Sequence, residues 1–183
     1  MYSVHDTAAF LTWHRYFIHL YEGILQEDCG YKGHLTYLSH HCNSRTTLLT
    51  FCRYWNWMLD WEDISKAPIW DKTLGFGGNG TGDPSVGDGR CVVDGPFANL
   101  HGLFYGSDDN RPHCLSRAFR TGKDLANTTS SKINPDAVEK IMKMNNYEDF
   151  NLKLEEGPHN AIPRGIRGDF IRFSAPYGMF LSI

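Results

Sequence analysis

Apolar positions near the start of the chain recur at helical spacing. Phe10, His14, Phe17, Tyr21 and Ile24 follow one another at intervals of four, three, four and three, which is one continuous stripe on a helix. Asp6 is a suitable N-cap, Thr7-Ala8-Ala9 a first turn, and Gly30 a left-handed cap after Cys29. The pattern therefore predicts a helix from Thr7 to about Glu27. From Tyr31 to Arg53 no period is legible, and an aromatic cluster, Tyr54-Trp55-Asn56-Trp57, follows it. Such a cluster reads first as core packing, since Trp and Tyr bury large areas with one polar handle each. Residues 71–95 hold eight glycines and read as a long loop, of the kind that in a compact domain is usually functional or mobile. Asn134-Pro135 is a helix start, with Asn as the cap and Pro at the first helical position. Val138, Ile141, Met142 and Met144 supply its apolar face, and a second short helix is expected at Tyr147–Leu154. There is no internal repeat, low-complexity tract or linker.

Composition narrows the class. A chain of 183 residues fits one domain able to bury a substantial core. With 41% hydrophobic and 21% charged residues it is not a disordered chain. No apolar run approaches the roughly 20 residues of a membrane-spanning helix. A net charge of −3 gives no electrostatic reason to expect nucleic acid or an anionic membrane as partner. The five cysteines form no CxxC pair, which argues against a zinc knuckle, and their odd number leaves at least one unpaired if the others bridge. Asn79-Gly-Thr81 and Asn127-Thr-Thr129 fit the N-glycosylation acceptor pattern, meaningful only in an exported protein. Residues Met1–His5 carry no signal-peptide features, so any leader would lie outside this chain, and localisation stays open between exported and not.

The chemistry-bearing residues are histidines. His14 lies on the apolar face of the first helix, where a lone imidazole reads first as a packed, hydrogen-bonded core residue. His5 changes that reading: an imidazole in the entry loop and one two turns into the helix converge on one point if the loop folds back. Neutral imidazole suits copper, zinc, iron and nickel alike, so the pair does not choose the metal. His159, between Pro158 and Asn160, reads alone as a loop histidine. Arg15 and Asp169 read either as an ion pair or as solvated charges. The stretch Gly157–Asp169 has neither GxGxxG nor a GK[ST] ending, and no GxSxG nucleophile elbow occurs in the chain.

Together these segments resemble one family. His5-Asp-Thr-Ala-Ala-Phe-Leu-Thr-Trp13-His14-Arg15-Tyr-Phe is similar to the first copper motif of tyrosinases and catechol oxidases. Tyr54-Trp55-Asn56-Trp57, Gly95-Pro96-Phe97-Ala98-Asn99, and Gly157-Pro158-His159-Asn160 with Gly165-Ile166-Arg167-Gly168-Asp169 resemble later family segments in the right order. The resemblance implies a mainly α fold, a four-helix bundle holding two copper ions by three histidines each, with long irregular loops. It implies hydroxylation of monophenols, oxidation of o-diphenols to quinones by O2, or only the latter. His5 and His14 would be the second and third ligands of the first copper, and His159 the first ligand of the second. Asn160 would help deprotonate the phenol, and Arg15 would be structural. Disulfide pairing is open, with Cys91–Cys114 the pair singled out between the copper motifs.

The chain also departs from the family pattern. The first ligand and its helix belong upstream of His5, where four residues remain. The second ligand of the second copper should stand four residues after His159, and that position is Pro163. Proline cannot ligate and removes the amide that would bond the His159 carbonyl, so the helix there is expected to be broken, shifted or begun later. After Ser174-Ala175-Pro176 the chain has no histidine. Residues 34–53 look inserted, as from a retained intron, which makes His34, His40 and His41 accidental. The expectation is thus a partial tyrosinase copper-binding domain over 1–183, truncated at both ends and impaired in activity. His101 and His113 are the remaining candidates to substitute as ligands. Two alternatives stay open: a non-catalytic module with His5 and His14 as a mononuclear metal site, and an oxygen carrier.

Overall fold

The computed structural model describes residues 4–32, 55–98, 100–102 and 112–172. The suspected insertion at 34–53, with His34, His40 and His41, lies outside them, as do Tyr54, Asn99 and residues 173–183. The chain divides into two compact units, Met1–Asn56 and Trp57–Ile183.

The first unit carries helix α1, Phe10–Asp28. It starts one turn later than the sequence predicts. Asp6 is not the cap: its φ is +56°, in the left-handed region, and Ala9 occupies the cap position without a side-chain bond. Thr7 organises the entry instead. Its hydroxyl bonds the Val4 carbonyl and accepts the Ala9 amide, and its carbonyl accepts the Phe10 amide. The far end follows expectation. Gly30 takes φ +66°, and the Cys29 and Tyr31 amides turn back onto the Leu25 carbonyl. The apolar stripe is buried at Phe10 and His14, while Tyr21 and Ile24 are exposed. Trp13, Phe17 and Tyr21 stack in a ladder, with centroids 5.4 and 6.3 Å apart.

The second unit combines short strands with short helices. Strands β1 (Arg90–Cys91), β2 (His101–Gly102), β3 (His113–Cys114) and β4 (Ser116–Arg117) pair antiparallel, β1 with β4 and β2 with β3. The Val92 amide bonds the Leu115 carbonyl and the Leu115 amide bonds the Leu100 carbonyl, so segment 113–117 is flanked on both edges. A disulfide joins Cys91 to Cys114 across this patch, their Cα atoms 5.4 Å apart. Cys29 is a free, exposed cysteine.

The glycine-rich stretch 71–95 is a loop, as expected, but a tethered one. Arg117, 1% exposed, reaches into it. Its Nη1 donates to the carbonyls of Gly77 and Gly78, both at 2.6 Å, and its guanidinium lies 4.5 Å from the Trp70 ring centroid. Burial, against the opposing charges of Asp94 and Asp169, brings its pKa down to about 10. Gly77 and Gly95, at φ +81° and +80°, pack backbone to backbone in the same loop. At another point Gly87, Ser116 and Gly168 cross with no room for a Cβ on either glycine, both of which hold positive φ.

Helices α2 (Gly122–Leu125) and α3 (Ser131–Ile133) are joined by a wide, π-type turn at Ala126–Ser130. Helix α4 (Pro135–Met142) starts where the sequence places it, with the Asn134 side chain accepting the Ala137 amide. Helix α5 spans Tyr147–Leu154, capped by Asn146, whose side chain accepts the Glu148 amide. Helix α6 (Asn160–Ile166) ends on the sheet patch, where the Ala118 and Arg120 amides bond the carbonyls of Ile166 and Gly165. Ile64, Val92, Leu125, Ile133, Ile162 and Ile166 are fully buried and form the core between these elements. The described residues are mainly helical with long irregular connections, and none of their helices is long and apolar enough to cross a membrane.

Candidate metal centre

The first unit brings two of the expected imidazoles together. The entry turn places the His5 ring 5.2 Å from that of His14, centroid to centroid and edge to face. His14 is 7% exposed and packs against Phe10 and Trp13 as well, at 4.7 and 5.0 Å. Its Nδ1 lies 2.7 Å from the Phe10 carbonyl oxygen, one turn back. A carbonyl only accepts, so Nδ1 carries the proton and Nε2 carries the lone pair. Burial lowers the His14 pKa below its ordinary value, partly offset by that hydrogen bond and helped by His5, which favours the neutral ring. A neutral imidazole whose second nitrogen is fixed by a carbonyl is the form that ligates metal.

The second unit holds His159 and Asn160. Both are half-buried, His159 at the end of a wide turn, Glu155–His159, and Asn160 as the first residue of α6. Of the outcomes expected around Pro163, a helix broken, shifted or begun later, the structure gives the last: α6, the helix that bears it, begins only at Asn160. Pro163 sits inside α6, and the irregular backbone lies upstream at Gly157, with φ −86° and ψ −106°. The kink restarts the helix just before His159, so Pro163 falls early in the new helix and costs one amide, the one that would reach the His159 carbonyl.

Of the two readings open for Asp169, an ion pair or a solvated charge, the structure gives the ion pair, with His113 as its partner. Asp169 is fully buried, with Oδ1 2.7 Å from His113 Nε2 and Oδ2 accepting the Ser116 amide at 2.7 Å. His113 is held by that carboxylate through Nε2, and burial lowers its pKa despite the negative charge. Sequence reasoning also passed over Glu155. Glu155 is 2% exposed, while its neighbour Glu156 faces solvent beside Lys153. A position one turn before His159 was the available signal. Among the described residues, no cluster of three or more His, Cys, Asp or Glu is close enough to hold a metal ion.

Comparison with known proteins bears on these segments directly. The common central domain of tyrosinase matches residues 1–177. The chain belongs to the tyrosinase family. Its relatives are fungal. The tyrosinase-like protein phomQ1' of Diaporthe leptostromiformis is 40% identical over 189 aligned positions, covering 94% of this chain and 44% of that protein. Its phomQ2 counterpart is 35% identical, covering 93% of this chain and 40% of the relative. Tyrosinase ustQ of Aspergillus flavus is 34% identical, covering 93% and 43%. The chain therefore spans less than half the length of these curated relatives. No solved structure matches significantly. Tyrosinases generally use copper, and the donor set at His5 and His14 fits that metal: two imidazoles, one of them held neutral with a defined ligating nitrogen.

Proposed function

We propose that this tyrosinase-family chain belongs to a copper-dependent oxidoreductase acting on phenols and o-diphenols with O2. The observation that carries the reading is the His5–His14 pair, with the His14 tautomer set by the Phe10 carbonyl. His5 and His14 would hold one copper, and His159 would contribute to a second. Bound copper supplies the capacity to activate O2 toward a phenol ring. The chain's own residues do the rest. The Phe10 carbonyl holds the His14 ring in one orientation, and burial keeps that ring unprotonated near neutral pH. Asn160, next to His159 at the start of α6, would orient the acceptor of the phenol proton, a contribution of about 10²–10⁴-fold when such help operates. Pro163 offers no nitrogen at the position expected for the next ligand, so the second copper would be held less firmly and turnover impaired.

Metal analysis of the full chain, with catechol oxidation beside it, tests this. The expected result is bound copper that falls at least tenfold in His14→Ala and in His5→Ala, with quinone formed from catechol by the unmodified chain. Copper content unchanged in the double variant would overturn it. A second reading, a non-catalytic mononuclear module, is favoured by the His5–His14 pair together with the lack, among the described residues, of any group of three or more His, Cys, Asp or Glu able to hold a metal ion. One copper per chain, lost with His14→Ala and accompanied by no quinone, would select that reading.

A further inference from the structure

The sequon Asn79-Gly80-Thr81 is not used by the oxidase reading, and the fold presents it in an unusual way. Asn79 is exposed, and its Oδ1 accepts two amides, from Phe119 and from Gly80, each at 3.0 Å. The carboxamide is thereby fixed by its oxygen, and among the described residues no group bonds Nδ2. Gly80 is buried where a Cβ would meet the backbones of Arg90 and Arg117, so the middle residue of the sequon pins the loop to the sheet patch. Thr81 is exposed, and its amide bonds the Cys91 carbonyl at 3.1 Å. That cysteine is one half of the disulfide with Cys114. Structural disulfides form in oxidising compartments, the secretory lumen among them, which is also where asparagine acceptors of this pattern are used. Two independent features of one surface thus call for the same compartment.

The second sequon is built differently. Asn127-Thr128-Thr129 is wound into the wide turn between α2 and α3. Thr129 is fully buried, its hydroxyl on the Ala161 carbonyl, and the Thr128 hydroxyl bonds the Asp124 carbonyl. An acceptor is expected on a surface loop, which Asn79 satisfies and Asn127 does not.

We propose that the chain is exported through an oxidising secretory compartment and carries an N-linked oligosaccharide on Asn79. In the transfer one Nδ2–H bond breaks and an N–C bond forms to the anomeric carbon of a lipid-diphosphate-linked oligosaccharide. The proton and the lipid diphosphate leave, and no electrons change hands. Oδ1 keeps its lone pairs, so both of its hydrogen bonds survive modification.

The test is secretion of the full chain behind a cleavable leader in a eukaryotic host. Intact mass and peptide mapping are read before and after peptide N-glycosidase, which converts a modified acceptor asparagine to aspartate. The expected result is sugar on Asn79 in the unmodified chain and in Asn127→Gln. It should be absent from Asn79→Gln and from Thr81→Ala, the latter leaving Asn79 and its two hydrogen bonds in place. A lumenal chain with Cys91 and Cys114 paired but no sugar at Asn79 overturns the proposal. Sugar confined to Asn127 overturns it equally. Neither outcome depends on copper binding.

Discussion

Arg117→Met is expected to destabilise the second unit by about 3–6 kcal/mol, a range that several opposing effects decide. Two short hydrogen bonds from a charged donor, to the Gly77 and Gly78 carbonyls, are worth ~2 kcal/mol each. Stacking on Trp70 in a desolvated site adds ~1–2 kcal/mol. Methionine escapes the burial penalty of the guanidinium. A pKa lowered from 12.5 to about 10 corresponds to ~3 kcal/mol against the charged form. These nearly half cancel. The loop carbonyls remain after the substitution, however, and the buried one at Gly77 loses its side-chain partner at ~1–3 kcal/mol. Stranding one side of a buried polar contact is what makes such changes costly. Urea denaturation of the full chain measures the loss, and amide exchange at Phe76–Gly78 localises it, with protection falling roughly a hundredfold or more. Arg117→Lys keeps the charge but lacks the fork and should lie between the two. A loss below ~1 kcal/mol for the methionine variant, or unchanged exchange at those amides, would refute the tether.

Other outcomes follow from the same structure. Replacing Cys91 and Cys114 together by serine opens a loop with a sequence separation of 23, and chain entropy sets the expected loss near ~3.4 kcal/mol by denaturant unfolding. His113 has a folded pKa below its ordinary 6.5, so below that pH the unfolded chain binds more protons and stability falls as the solution is acidified. This contribution is fully present above pH 6.5, and His113→Gln should flatten the decline measured by unfolding at stepped pH; an identical slope would count against it. Asn134→Ala removes the cap of α4 and should cost about 1 kcal/mol in thermal or urea unfolding.

How far the sequence discloses this molecule depends on whether the signal is local. The start of α4 was legible because it is written in one side chain, Asn134, that bonds an amide three positions on, and α5 spans the stretch expected, with Asn146 as a cap that the sequence analysis does not name. The His14 face was legible because spacing alone puts it on the side of Phe10, and His5 because a short turn returns it there. The Asp6 cap failed for a local reason as well: a carboxylate residue also tolerates the left-handed region, and there its side chain cannot cap. Pro163 drew attention from Gly157, the residue that bends the helix. What stayed hidden joins distant positions. Arg117 bonds carbonyls about 40 residues away, and a carbonyl leaves no trace in the sequence. The His113–Asp169 contact spans 56 residues.

The crossing of Gly87, Ser116 and Gly168 has a consequence for how this domain tolerates recombination. Three segments from distant parts of the chain touch there backbone to backbone at the two glycines, with the Ser116 hydroxyl on the Val86 carbonyl beside them, so a shift in any one is hard to compensate by side-chain exchange. Chimeras that import one of these loops from another member of the family must bring the other two along.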